Sequence, residues 1–339
     1  MSAFLLTLAL PEPAPTLLSE AGNVRVLGRV PDAEELVREL DGVDVLCSQL
    51  RDPLTADVLA HAPPRLRAVC NYAVGYDNVD LEEATRRGVW VTNTPDVLTT
   101  ATADCTMGLM LAVARRLGEG DRAVRAGRFE GWRPDYMLGL DLHGATLALV
   151  GFGRIARAVA ERAGVFGMGI LYTDRSGATP PAHLRDARRV SLLQALGRAD
   201  VISLHAPLTA DTHHLIDDVA LRAMKRSALL INTARGALVD EHALVNALRE
   251  GRIGGAGLDV YEREPQLAPG LGDCPNTVLS PHLGSATQRT RSAMARVCAV
   301  NAVAAARGEV PPNAVNAPRV AGNRAWTRPR RANLPAEEG

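Results

Sequence analysis

The chain has 339 residues, 47% of them hydrophobic and 22% charged, and its formal net charge is zero. That length accommodates two domains of ordinary size with well-buried cores. The balanced charge supplies no global field to draw in nucleic acid or an anionic membrane surface, and no apolar run is long enough to span a bilayer.

The N-terminal "AFLLTLAL" is apolar, short and without a basic flank, which predicts a buried strand rather than an export signal. "NVRVLG", "VDVLCS", "LRAVCNYA" and "GVWVTNTP" follow as strand candidates. Between them lie "DAEELVREL", "LTADVLAHA" and "LEEATRRG", with helical spacing and acidic starts. Strand and helix in alternation predict a parallel sheet covered on both faces. Residues 100–125 predict one long helix, capped by Thr99 or Thr100 and apolar on more than one side, so it should be buried or pack against a second subunit.

A loop containing "FEGWRPDYMLGLDLHG" leads into a second α/β series. Its strands are "TLALVGFG", "GILYTD", "DVISLHAP", "ALLINTA", "GAGLDV" and "NTVLSPH". The helix "TQRTRSAMARVCAVNAVAAARG" then has no sheet of its own and should pack back on the first unit. The expected division is therefore 1–99 with 284–317, and 100–283 inserted between them. The Pro- and Arg-rich residues 318–339 read as a disordered tail. The tail segment "RAWTRPRR" is a weak candidate for phosphate contact, opposed by Glu337 and Glu338. The five cysteines show neither CxxC nor Cys/His ligand spacing, so no metal site is expected and reduced thiols fit the cytoplasm.

"LALVGFGRIA" places Gly151, Gly153 and Ala156 in a GxGxxA arrangement between a strand and a helix. Gly151 allows the tight turn, and Gly153 lets a pyrophosphate approach the helix N-terminus formed by Arg154 and Ile155. The next strand ends at Asp174, placed to accept hydrogen bonds from an adenosine ribose. A carboxylate there favours NAD over NADP, while Arg175 beside it keeps NADP open.

Three later strand ends carry the candidate chemistry. Arg235 in "INTARGALVDEHAL" can hold a carboxylate by two parallel hydrogen bonds. Glu264 in "GAGLDVYEREP" and His282 in "LSPHLGSAT" end the next two strands. Together they suit reduction of a 2-keto acid: His282 gives the proton to the carbonyl oxygen, Glu264 orients its ring and favours the imidazolium, and Arg235 holds the substrate and polarises its carbonyl. Asp259 is a candidate acceptor for the nicotinamide amide. Taken singly, each residue could equally be a solvated charge or a strand cap.

These segments, with "NYAVGYDNVD", "VTNTPDVLTTATAD" and "PLTADTHHLI", resemble the D-isomer-specific 2-hydroxyacid dehydrogenases over roughly residues 5–316, most nearly the glyoxylate/hydroxypyruvate reductases. The resemblance implies two Rossmann-like α/β domains, the dinucleotide-binding one inserted into a flavodoxin-like substrate domain. It implies a homodimer formed through the helix 100–125 and the loop after it, and a catalytic set of Arg235, Glu264 and His282. It also implies cofactor contacts from Pro207, Thr212, Thr233, Ala234, His282 and Gly284, and substrate contacts from the backbone of Ala73, Val74 and Gly75. Leu50, Tyr72 and Trp132 are candidate pocket walls; Trp132 could equally anchor the dimer. Formate dehydrogenases of the superfamily carry glutamine at Glu264, and phosphite dehydrogenases carry a lysine at Val74. Phosphoglycerate, 2-ketogluconate and phosphite stay open as related substrates, as does a non-catalytic NAD-sensing role.

Overall fold

The computed structural model describes residues 1–175, 177 and 180–317. Strands β1 (Ser2–Leu6), β2 (Gly22–Val26), β3 (Val45–Ser48), β4 (Ala68–Asn71) and β5 (Trp90–Thr92) build a first sheet in the order β2-β1-β3-β4-β5. Helices α1 (Ala14–Ala21), α2 (Ala33–Glu39), α3 (Ala56–His61) and α4 (Leu81–Arg86) alternate with them. The acidic or hydroxyl residue before each of the last three is a working cap: Asp32, Thr55 and Asp80 accept from the N–H groups of Glu35, Val58 and Glu83. Helix α1 is hidden in the sequence by the prolines of "PEPAP", because Pro13 is its N-cap residue and Pro15 lies within its first turn.

Helices α5 (Thr99–Ala114) and α6 (Leu117–Arg125) lead to the second sheet. It comprises β6 (Thr146–Val150), β7 (Gly169–Thr173), β8 (Arg188–Arg189), β9 (Val201–Leu204), β10 (Leu229–Asn232), β11 (Gly255–Leu258) and β12 (Thr277–Leu279). Their order is β12-β11-β10-β9-β6-β7-β8, with every pairing parallel. Helices α7 (Arg154–Val165), α8 (Leu192–Arg198), α9 (Asp218–Ala223) and α10 (Glu241–Arg249) lie within this series, and α11 (Gln288–Ala306) ends it. The inner strands β9 and β10 are buried throughout, as strands covered on both faces must be. Each fully buried leucine, such as Leu147 or Leu149 on β6, stabilises the fold by about 2 kcal/mol.

Both sheets reverse their strand order internally, and such reversals open crevices at the carboxyl ends of the strands. In the second sheet the reversal falls between β6 and β9, and in the first between β1 and β3. The last helix does return to the first sheet. Met294, Ala295, Cys298, Ala299 and Ala302 of α11 share one core with Phe4, Val45 and Cys70. The Tyr72 hydroxyl donates to the Arg291 carbonyl at 2.8 Å, so this candidate pocket wall is buried and serves to hold α11.

The single helix expected over 100–125 is two helices, broken at Arg115 and Arg116, where Arg116 adopts φ +51°. The Leu140 N–H takes the Ala114 carbonyl at 2.8 Å, which consumes an acceptor near the end of α5. The start of α5 is also uncapped by side chains: Leu98 is its N-cap residue, and neither Thr99 nor Thr100 serves. The tail at 318–339 lies outside the described residues.

Candidate active site

Arg235 follows β10, while Glu264 and His282 lie on the loops after β11 and β12, so three adjacent strands bring them together. Nδ1 of His282 lies 2.9 Å from Oε2 of Glu264, with both side chains partly open to solvent. The other carboxylate oxygen, Oε1, accepts from the Tyr261 N–H at 3.1 Å. Burial pushes the Glu264 carboxyl upward, but the His282 hydrogen bond and charge, the Tyr261 N–H and Arg235 outweigh it, leaving the group below its ordinary value. Burial, then the charges of Asp259 and Glu264, push the Tyr261 phenol up to about 12. The phenol therefore stays protonated and donates to the Ser280 carbonyl at 2.9 Å.

His282 has φ +56°, a left-handed backbone that costs a non-glycine residue about 1–2 kcal/mol. Asp259 is what offsets this cost. Its buried carboxylate accepts from the Ser280 hydroxyl at 2.6 Å and from the N–H groups of Leu283 and Gly284 at 2.6 and 2.7 Å. Its own carbonyl accepts from the His282 N–H at 2.9 Å. Asp259, expected at the nicotinamide amide, thus wraps the loop that aims the histidine.

The Arg235 side chain reaches from the second sheet to the first. Its Nε donates to Asp77 Oδ1 at 2.8 Å, and Nη1 to the Ala234 carbonyl at 2.7 Å. The Asn232 side chain fixes this turn, donating to the Arg235 carbonyl and accepting from the Ala234 N–H. Gly75 leaves room for the guanidinium: a Cβ on it would lie 1.5 Å from Nη2 of Arg235. The signal for Asp77 in "NYAVGYDN" is an acidic residue two positions after a glycine expected at the substrate carboxylate.

The loop over 73–75 is held by its carbonyls. They accept from the Thr94 N–H, the Asn93 amide and the Asn71 amide at 2.7, 2.8 and 2.8 Å. The Ala73 N–H already donates to the Asn71 carbonyl, whereas the N–H groups of Val74 and Gly75 have no hydrogen bond among the described residues. Two of the three expected backbone donors are therefore available to an anion. Leu50 lines a groove with Asp52, Pro53, Asp77 and Asn78, next to the Arg235 contact.

A dinucleotide fits the opposite side of the crevice. Gly151 has φ +92°, and a Cβ there would lie 2.7 Å from the His205 carbonyl oxygen, so the β6–α7 turn presses on the end of β9 as only glycine permits. Gly153 is the N-cap residue of α7, leaving the N–H groups of Arg154 and Ile155 pointing out of the helix for a pyrophosphate. The Arg154 side chain pairs with Asp96 at 3.0 Å, and Ile155 packs against both cores. Asp174 directly follows β7, and its carbonyl accepts from Arg189 Nε at 3.1 Å. Arg175 pairs with Asp211 at 3.0 Å, both exposed. Burial pushes the His205 imidazole down to about 3, so it stays neutral beside this turn, hydrogen-bonded to Ser203. Sequence reading passed over His205, whose signal was a histidine directly after a buried strand.

The remaining expected cofactor residues have duties of their own. The Thr212 hydroxyl donates to the Pro207 carbonyl at 2.7 Å and so closes its loop, and Thr233 shares a hydroxyl contact of 2.8 Å with Thr106 of α5. Ala234 and Gly284 flank Arg235 and His282, and both lend backbone to the bonds described above. Trp132 is 83% exposed on the loop after α6.

Residues 107–284 match the family model for the NAD binding domain of D-isomer specific 2-hydroxyacid dehydrogenases. A glyoxylate reductase from Thermococcus litoralis is 48% identical over 292 residues, covering 85% of this chain and 88% of that protein. The structure of a Thermus thermophilus protein, TT0316, is 47% identical with a TM-score of 0.86, covering 93% of this chain and 100% of the other. A glyoxylate/hydroxypyruvate reductase from Sinorhizobium meliloti, solved with NADP and malonate, is 36% identical with a TM-score of 0.80, covering 89% and 93%.

Proposed function

The chain belongs to the D-isomer-specific 2-hydroxyacid dehydrogenases, NAD(P)-dependent oxidoreductases, and on that premise we propose that it reduces glyoxylate to its achiral 2-hydroxy acid and hydroxypyruvate to the D-2-hydroxy acid. The observation that carries this reading is the 2.9 Å contact between His282 and Glu264, one strand end away from Arg235. The reduced nicotinamide, when bound, supplies the hydride. Arg235 and the N–H groups of Val74 and Gly75 hold the substrate carboxylate, and the arginine polarises the carbonyl to be reduced. His282, as imidazolium, gives its proton to the carbonyl oxygen from Nε2, because Nδ1 is held by Glu264. The charged Glu264 orients the ring through this hydrogen bond.

Residues 1–99 and 284–317 serve the substrate in this reading, and 100–283 serve the cofactor. The carboxylate of Asp174 beside the ribose supports NAD as the preferred cofactor, with Arg175 engaged by Asp211. Exposed Leu117, Val124, Phe129, Trp132 and Leu138, on α6 and the loop after it, support a homodimer through that face. The five free cysteines support a cytoplasmic location, and among the described residues no helix is long and apolar enough to cross a membrane.

A steady-state screen of glyoxylate, hydroxypyruvate, 2-ketogluconate and pyruvate with NADH and NADPH tests the reading. Rapid cofactor oxidation with the first two is expected. Oxidation of neither cofactor by any of the four sinks the assignment.

A further inference from the structure

Outside this site, the geometry points to a binding site for one divalent transition-metal ion of the zinc class, formed by His213, His214 and Glu262. His213 and His214 lie on the loop between β9 and α9, and Glu262 on the loop between β11 and β12. One ligand atom of each lies within 4.8 Å of the other two. No motif spacing announces the group, because the fold alone brings the glutamate to the histidine pair.

Three observations favour an ion over a simple surface pair. His214 is held at φ +50° with its N–H donating to the Ala237 carbonyl at 2.8 Å, and the two imidazoles lie with centroids 4.0 Å apart, tilted by 30°. Adjacent residues normally send their side chains apart, so this left-handed residue is what lets both rings serve one point. Next, Nε2 of His214 is buried and lies 3.2 Å from Oε1 of Glu262, yet it makes no hydrogen bond. Ligand bonds of about 2.0–2.1 Å in a tetrahedron put neighbouring ligand atoms about 3.3 Å apart, close to this spacing. Coordination would satisfy a buried nitrogen that makes no hydrogen bond and has only the ion-pair contact with Glu262. Finally, Glu262 is anchored, its N–H donating to Glu241 Oε1 at 2.9 Å.

Two imidazoles and a carboxylate suit zinc, cobalt or nickel, with a fourth position left to water on the exposed His213 side. The ion would tie the loop after β9 to the loop that carries Glu264, a cross-link that stands whatever the substrate of the dehydrogenase site.

The test is calorimetric titration of untagged, chelator-stripped full-length protein with Zn2+ alone, followed by thermal melting with and without the ion. One equivalent should bind and raise Tm. His213→Ala and Glu262→Gln should each weaken binding by tenfold or more while leaving the metal-free melting curve nearly unchanged. His282→Ala should leave the affinity as it was. Absence of binding up to millimolar Zn2+, or binding that survives both variants, overturns the proposal. Loss of binding in His282→Ala overturns it as well, because the ion would then belong to the His282–Glu264 pair.

Discussion

The two sheets meet at one crevice but bring different chemistry to it. The second sheet contributes charged side chains, Arg235, Glu264 and His282, on three adjacent strand ends. The first contributes mainly backbone, the free N–H groups of Val74 and Gly75, with Asp77 as its charged partner to Arg235. The proton-carrying groups are therefore braced within one rigid sheet, while the anion-holding groups come from both. Chemistry and substrate binding should fail separately when each side is changed.

His282→Ala is the severest test of that separation. Loss of a general acid should lower kcat by about 10^2 to 10^4, with NADH binding by fluorescence titration nearly intact. Turnover within a factor of about ten of wild type would return the histidine to a structural role. On the other sheet, Gly75→Ala puts a methyl where the Arg235 guanidinium now lies. Displacement of about 1 Å can cost about 10^2 in kcat/KM. The loss should fall mainly on KM; a purely kcat effect would contradict the division of labour.

Glu264→Gln sharpens the comparison inside the second sheet. Losing a charged hydrogen bond is worth about 1.5–3 kcal/mol, a ten- to hundredfold drop in kcat. The sign for stability follows from the depressed carboxyl of Glu264. Its contribution is present above the ordinary carboxyl value of 4.5 and is lost as pH falls through the lower folded value. Melting curves of wild type and variant should therefore converge on acidification and stay apart near neutrality. Asp174→Ala should have the smallest effect, about tenfold weaker NADH binding with kcat at saturation preserved. Unchanged affinity would remove the ribose contact from the reading.

Much of this arrangement was legible in the sequence. Gly151, Gly153 and Asp174 follow from a strand–turn–helix pattern with fixed spacing, and Arg235, Glu264 and His282 from their places directly after apolar strands. What escaped was non-local or hidden by punctuation. Asp77 finds Arg235 across the crevice, and no pattern within either segment shows that pairing. The break at Arg116 depends on Leu140 reaching back to Ala114, which helical periodicity over 100–125 cannot report. Helix α1 is masked by prolines that read as a terminator but stand at its N-cap and in its first turn. Asp259 was seen as a ligand contact, whereas its burial among four hydrogen bonds makes it a support for the histidine loop.

The return of α11 to the first sheet also sets an order of events during synthesis. The five strands of that sheet are all made by residue 92, but the helix covering one face runs from Gln288 to Ala306. At about 5–20 residues per second, roughly 10 to 40 s separate the two on the ribosome. Through that interval the apolar side of Phe4, Val45 and Cys70 has only Ala14 and Leu18 of α1 from its native helical cover, while the whole second sheet emerges in between. The sheet that is translated first is the one that must be finished last, and a nascent chain stalled before residue 288 should be a better chaperone client than one released after 306.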